Sequence, residues 1–132
     1  MRRQLPGLHQ AIPFPDGFFL VRVAYAQYRG QAEKPFLVLN LTVIEPTKLA
    51  GRKISTRLYC TEKAFWKLNW FLRDFGYNTE LLGRDEIDNQ AIVGLRGVVK
   101  VSHSDVHGRT YLNLDGFAPA SHWDEFCLEK AG

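Results

Sequence analysis

The sequence predicts a mainly β domain of five strands, with one helix between the third and the fourth strand. Apolar and polar residues alternate along several stretches, as they do in strands with one buried face. Apolar residues repeat at helical spacing over one clear segment, residues 61–75. The chain has 132 residues and a hydrophobic content of 45%, which fits a single domain with a core of its own.

The first two strands are predicted at residues 17–28 and 36–45, after an irregular, proline-containing lead-in over residues 1–16. Every second residue is expected to face the core: Phe19, Val21, Val23 and Tyr25, then Leu37, Leu39, Leu41 and Val43. Arg22 and Tyr28 are then expected on the opposite, open face. Pro46 ends the second strand because proline cannot donate a hydrogen bond to the sheet.

The third strand and the helix follow at residues 52–60 and 61–75. Alternation in the strand predicts that Ile54 and Leu58 point inward, while Lys53, Arg57 and Tyr59 stand on the open face. Thr61 is a suitable helix N-cap, and Gly76 is a suitable C-terminal stop. The residues expected to pack on the sheet are Phe65, Leu68, Leu72 and Phe75.

The last two strands are predicted at residues 96–103 and 109–117, joined by a turn with glycine near its tip. Residues 81–95 are expected to form a loop with a short helix around residues 85–92. Three strands, a helix and a closing hairpin match the oligonucleotide/oligosaccharide-binding barrel, or OB-fold. The barrel domain would span residues 17–119, and residues 120–132 would form a short acidic tail.

The charge is unevenly distributed behind a net value of +3. Residues 1–73 contain 12 Lys/Arg against 4 Asp/Glu, whereas residues 74–132 contain 5 against 10. A basic first half suits a polyanion, because cations that neutralise phosphates release counterions. An unevenly charged but purely solvated surface is the plainer alternative.

Several short motifs resemble those of a family of phage and prophage proteins regarded as single-stranded-DNA-binding OB-fold barrels. They lie in residues 51–54, 67–77, 91–101 and 108–113. The family pattern includes a helix ending in an aromatic residue and glycine, here Phe75 and Gly76. A strand entry with Leu95 and Gly97 and a later Tyr111 and Asn113 follow it. The resemblance implies a barrel that binds single-stranded DNA without catalysis.

The open face of the first three strands is the main candidate for a nucleic-acid site. Basic grooves and stacked aromatic rings bind single strands, and the OB-fold places them on strands two and three and the flanking loops. The residues predicted to contribute are Arg22, Tyr28, Lys53, Arg57 and Tyr59 on the strands, Arg29 and Lys34 in the first loop, and His107 and Arg109 at the last. Tyrosine and arginine are also common on exposed strands that bind nothing.

Trp66 and Trp70 lie four residues apart on one helix face, beside Lys63 and Lys67. This face is a second candidate surface, for a protein partner or a base. The alternative is that the tryptophans pack against the barrel, and we expect at least one of them to be mainly buried there.

Catalytic and cofactor signals are weak. The sequence lacks the phosphate-loop, nucleophile-elbow and zinc-protease motifs. His103, Asp105 and His107 surround the last turn, but no further metal ligand is evident. Asp85, Glu86 and Asp88 fit a solvated helix start. We therefore expect no enzyme activity, metal or cofactor. With no signal peptide or membrane span and no CxxC pair, a cytoplasmic location is expected.

The sequence thus predicts a sequence-tolerant binder of single-stranded nucleic acid, foremost DNA with RNA as the alternative, in replication or recombination of a mobile element. Two alternatives remain. The barrel would hold another protein, through its groove, its helix face or its acidic tail. Or it would be an accessory subunit of a larger nucleic-acid-processing assembly, such as a nuclease or CRISPR-type complex.

Overall fold

The computed structural model describes residues 14–30, 33–84 and 86–126. Most of the predicted lead-in, half of the predicted tail and Asp85 lie outside these ranges. The strands are β1 (Gly17–Arg29), β2 (Phe36–Glu45), β3 (Lys53–Tyr59), β4 (Arg96–Val106) and β5 (Arg109–Pro119). The α-helices that lie wholly within these ranges are α1 (Phe65–Asp74), α2 (Thr79–Gly83) and α3 (Asn89–Ile92). Single 3-10 turns occur at Thr47–Leu49, Glu62–Ala64 and Ala120–His122.

The five strands form one antiparallel sheet in the order β3-β2-β1-β4-β5. The prediction of a mainly β domain with five strands is confirmed. The sheet is open, however, because β3 and β5 are its two edges and do not pair within the described ranges. Helix α1 packs against both β5 and β3, so side-chain packing connects the two edges.

The core lies on one face of the sheet, here called the inner face, beneath α1. Leu37 pairs with Leu58, and Leu41 pairs with Ile54, so these side chains share that face. They are buried as predicted, together with Leu39. The opposite side, here called the outer face, carries Arg22 with its cross-strand partner Thr42.

The second half of β1 faces the other way from the prediction. The β1–β2 register shifts between Val23 and Tyr25, and this β-bulge reverses the alternation that follows it. Ala26 is therefore buried, whereas Tyr25 is 42% exposed on the outer face. Tyr28 pairs with buried Leu37 and so lies on the inner face. The predictions for Tyr25 and Tyr28 were wrong for this one reason.

Helix α1 begins at Phe65, four residues later than its predicted start. Residues Glu62–Ala64 form a 3-10 turn, and the Thr61 side chain makes no capping hydrogen bond. The predicted inward residues Leu68, Leu72 and Phe75 are buried, Phe65 is partly buried against the core, and Phe71, which was not predicted, is fully buried. Gly76 ends the helix with φ of 83°, the left-handed conformation that favours glycine.

Between α1 and β4 the chain forms two short helices instead of the predicted loop with one. Asn78 caps α2, since its Oδ1 accepts hydrogen bonds from the backbone N–H groups of Glu80 (2.8 Å) and Leu81 (3.1 Å). Asp88 caps α3 through the N–H of Gln90, at 3.0 Å. The buried Tyr77 hydroxyl donates to the Glu86 carbonyl and accepts from the Asp88 N–H, both at 2.8 Å. These bonds hold the segment against the core.

Strands β4 and β5 are longer than predicted. Their turn has His107 at φ 53° and Gly108 at φ 79°, and two positive values in succession characterise the type I′ hairpin. Pairing of β4 with β1 stops at Val101. Residues 102–113 therefore continue as a two-stranded arm, here called the hairpin arm. Within the described ranges, no helix has the length and apolar character needed to cross a membrane.

Candidate nucleic-acid interface

The outer face of β1, β2 and β3 presents four rows of cross-strand partners. Partners in a sheet share a face, so the register determines which side chains stand together. The rows are Tyr59–Phe36–Arg29, Arg57–Val38–Gln27, Ser55–Asn40–Tyr25, and Lys53–Thr42–Arg22 continued by Arg96 of β4. From Tyr59 to Lys53 the face runs along seven residues of β3, roughly 20 Å.

Five cations stand on this face: Arg22, Arg29, Lys53, Arg57 and Arg96. Neither Asp nor Glu occurs in the four rows, and none of the five makes an ion pair within the described residues. Arg22 and Arg96 are direct cross-strand partners, and like charges placed opposite each other destabilise a sheet. An anionic ligand would relieve that repulsion.

Aromatic rings stand among these cations. The Arg57 guanidinium lies over the Phe36 ring, 4.5 Å from its centroid, in a cation–π contact. Tyr59 packs edge-on to the same ring, with 5.8 Å between centroids. Tyr59 remains 40% exposed, so its ring is available to another flat group. Phe36 thus positions one cation and one exposed ring side by side.

The row formed by Ser55, Asn40 and Tyr25 is polar. Ser55 Oγ donates to Asn40 Oδ1 at 2.9 Å, and the Tyr25 hydroxyl donates to Gln27 Oε1. Each bond uses the oxygen of a carboxamide, and the amino groups of Asn40 and Gln27 keep their capacity to donate. Tyr25 and Phe36 add two aromatic rings that the sequence analysis did not assign to the site, because the first was predicted in the core and the second only began a strand.

The structure brings together five of the nine predicted strand and loop residues: Arg22, Arg29, Lys53, Arg57 and Tyr59. Lys34 is exposed in the β1–β2 connection, beside the row that contains Phe36. Tyr28 lies on the inner face. His107 and Arg109 stand at the tip of the hairpin arm, ten residues of β4 beyond Arg96, or roughly 33 Å. Arg96 was missed because its pairing with Arg22 is not visible in the sequence.

A pocket of about 250 Å³ opens on the inner side of the same end of the sheet. Its lining comes from the ends of β1 and β3, from α1, and from α2 and the segment after it: Tyr28, Cys60, Phe65, Leu68, Asn69, Leu72, Leu82, Glu86 and Ile87. The backbone N–H of Tyr28 donates to Asn89 Oδ1 at 3.0 Å. Cys60 carries a free thiol, and burial raises the pKa of that thiol.

The two helix tryptophans differ in exposure. Trp70 is mostly covered: it packs edge-on against Phe117 of β5, 5.6 Å between centroids, and its Nε1 donates to Asp74 Oδ2 at 2.9 Å. Trp66 stacks on Trp70 at 6.2 Å and is 62% exposed. The expectation that one indole packs on the sheet is met by Trp70, and Trp66 leaves an aromatic surface open.

His103 and Asp105, near the last turn, hydrogen-bond to different partners. His103 Nδ1 lies 2.5 Å from Asp16 Oδ1, and Thr110 donates to Asp105 Oδ1 at 2.7 Å. His107 occupies the turn itself. Among the described residues, no three His, Cys, Asp or Glu side chains stand together in a way that could hold a metal ion.

No known protein-family model matches the chain, and no curated protein matches it significantly in sequence. The assignment of a function therefore depends on the geometry of the outer face.

Proposed function

We propose that the protein binds single-stranded nucleic acid, foremost DNA, on the outer face of β1, β2 and β3, without catalysing a reaction. One observation carries the proposal: four rows of this face combine five cations with the rings of Tyr25, Phe36 and Tyr59 and contain no acidic side chain. A cationic surface with interleaved aromatic rings is the combination that holds a single strand.

The two kinds of side chain act on different parts of the ligand. Arginine and lysine neutralise phosphates, and the release of condensed counterions drives binding at low salt. Exposed Tyr59 and Tyr25 offer ring faces on which unpaired bases stack, and every base has such a face. Neither phosphate neutralisation nor ring stacking depends on which base is present. We therefore expect sequence-tolerant binding.

The chain topology supports an OB-fold-like barrel as the scaffold. The order β3-β2-β1-β4-β5 leaves one gap, between β3 and β5, and α1 packs on both of these strands. In OB-folds the surface of strands two and three binds oligonucleotides, and the Arg57, Phe36 and Tyr59 cluster lies there. Together with the resemblance to phage proteins, this favours a passive cytoplasmic role in replication or recombination of a mobile element.

The charge contribution is tested with Arg57→Ala. Removing one phosphate-binding cation should reduce the slope of log K against log salt by about 0.7, measured by fluorescence anisotropy with oligo-dT. Arg84→Ala is the matched control, since Arg84 follows α2 outside the outer face. Equal slopes for wild type and Arg57→Ala would remove Arg57 from the interface.

The stacking contribution is tested with Tyr59→Ala. Loss of the ring should weaken binding of oligo-dT by about 1–3 kcal/mol and leave the salt slope nearly unchanged. Tyr59→Phe keeps the ring and should restore most of the affinity. If both substitutions weaken binding equally, the hydroxyl and not ring stacking is responsible.

Exposed Trp66 favours a second candidate function, the binding of a protein partner on α1. Such a barrel would be an interaction module or an accessory subunit of a nucleic-acid-processing complex. Oligonucleotide binding that survives the Arg57 and Tyr59 substitutions but is lost in Trp66→Ala would instead move the nucleic-acid site to this helix.

A further inference from the structure

The pocket beside Tyr28 adjoins one end of the outer face. Tyr28 and Cys60 line the pocket, and their sequence neighbours Arg29 and Tyr59 belong to the terminal row of that face. The Cys60 N–H donates to the Pro35 carbonyl at 2.8 Å, which ties the end of β3 to the start of β2. A strand lying across the terminal row therefore passes close to the pocket on the other side of the sheet end.

The size and the walls of the pocket suit a small flat ring. Its volume of about 250 Å³ is below the roughly 300–1,000 Å³ of pockets that hold drug-sized ligands. Phe65, Leu68 and Leu72 of α1 provide apolar walls, and the half-exposed ring of Tyr28 provides an aromatic one. A nucleobase turned away from the strand would remove this apolar surface from water, which is favourable.

Two polar side chains in the lining are free to recognise such a ring. The Asn69 carboxamide and the Glu86 carboxylate make no hydrogen bond within the described ranges. A carboxamide both donates and accepts, whereas an ionised carboxylate only accepts. Adenine, cytosine and guanine carry an exocyclic amino group that can donate to the carboxylate. Thymine and uracil lack one.

We propose that this pocket takes one unpaired nucleobase of the bound strand and prefers a base with an exocyclic amino group. The inference rests on the proposed function, because the outer face delivers the strand. It adds a single position of base preference to an otherwise sequence-tolerant surface.

The test compares oligo-dT with the same oligonucleotide carrying one dC, dA or dG at successive positions. We expect one position at which the substituted strand binds roughly tenfold tighter, the gain of one hydrogen bond to a charged group. In Glu86→Leu, which removes the accepting carboxylate, the ratio of the two affinities should fall toward one. Arg57→Ala should weaken both strands and keep the ratio.

Alkylation of the Cys60 thiol tests whether the base occupies the pocket. In a Cys127→Ser background, alkylation of Cys60 by N-ethylmaleimide should slow more with the preferred strand than with oligo-dT. A ratio near one at every position in the wild type, or a ratio that persists in Glu86→Leu, would overturn the inference while oligo-dT still binds. Failure of the wild type to bind any of these strands would instead overturn the proposed function.

Discussion

Gly97 of β4 packs against the Phe75 ring at the C-terminal end of α1. A Cβ atom at this position would lie 2.3 Å from the Phe75 ring, which is itself packed against Phe71 and Phe117. Cores resist added atoms because they are already close-packed. We therefore expect Gly97→Ala to lower the free energy of unfolding by about 1–3 kcal/mol, measured by urea denaturation.

Gly83 at the end of α2 is the matched control. A Cβ atom there meets nothing within 4 Å, so Gly83→Ala should raise the free energy of unfolding by about 0.4–1 kcal/mol through reduced unfolded-state entropy. If the two alanine variants unfolded at the same urea concentration, the packing of β4 against Phe75 described above would be contradicted.

For single residues of β1, the sequence predicted the correct face of the sheet up to the bulge after Val23. Strict alternation correctly placed Val21 and Val23 in the core and Arg22 outside. One extra residue after Val23 then exchanged the faces of all that follow, so Tyr25 and Tyr28 were each assigned to the wrong side. A bulge leaves no consistent mark in hydrophobic alternation, so the sequence alone did not predict it.

The N-terminal capping residues of the helices differ in how much they stabilise the fold. Asn78 Oδ1 accepts two backbone hydrogen bonds at the start of α2, whereas the Thr61 hydroxyl makes no capping bond. We therefore expect Asn78→Ala to cost about 1 kcal/mol of unfolding free energy, the usual value for a lost N-cap. Thr61→Ala should cost clearly less. Thermal unfolding followed by circular dichroism measures both, and a larger loss for Thr61→Ala would contradict the assigned caps.

Element prediction succeeded where the pattern was long and regular. The inward stripe of α1 correctly identified Leu68, Leu72 and Phe75 but missed Phe71, and the alternation of β2 and β3 identified the buried residues of those strands. The helices α2 and α3 are five and four residues long, too short for a periodicity to be recognised. The hairpin arm contains no buried residue, so its strands lack the apolar alternation that would reveal their full length.

Over the whole molecule, positive charge is concentrated on the outer face of the sheet. Its four rows hold five cations and no acid, whereas the helical region on the other side mixes the acidic Glu62, Asp74, Glu80, Glu86 and Asp88 with the basic Lys63, Lys67, Arg73 and Arg84. A polyanion is therefore attracted chiefly to the outer face. The charge asymmetry along the chain predicted this in part. It could not include Arg96, which comes from the acidic half and joins the face only through pairing with Arg22.

The central claim is that the outer face binds single strands through phosphate neutralisation and base stacking. Its most direct test is a titration of the wild-type protein with fluorescent oligo-dT at several salt concentrations. Binding should be detectable at low salt, and log K should fall with log salt with a slope of about −2 to −3.5, the range for three to five neutralised phosphates. No binding at low salt, or an affinity independent of salt, would contradict the account.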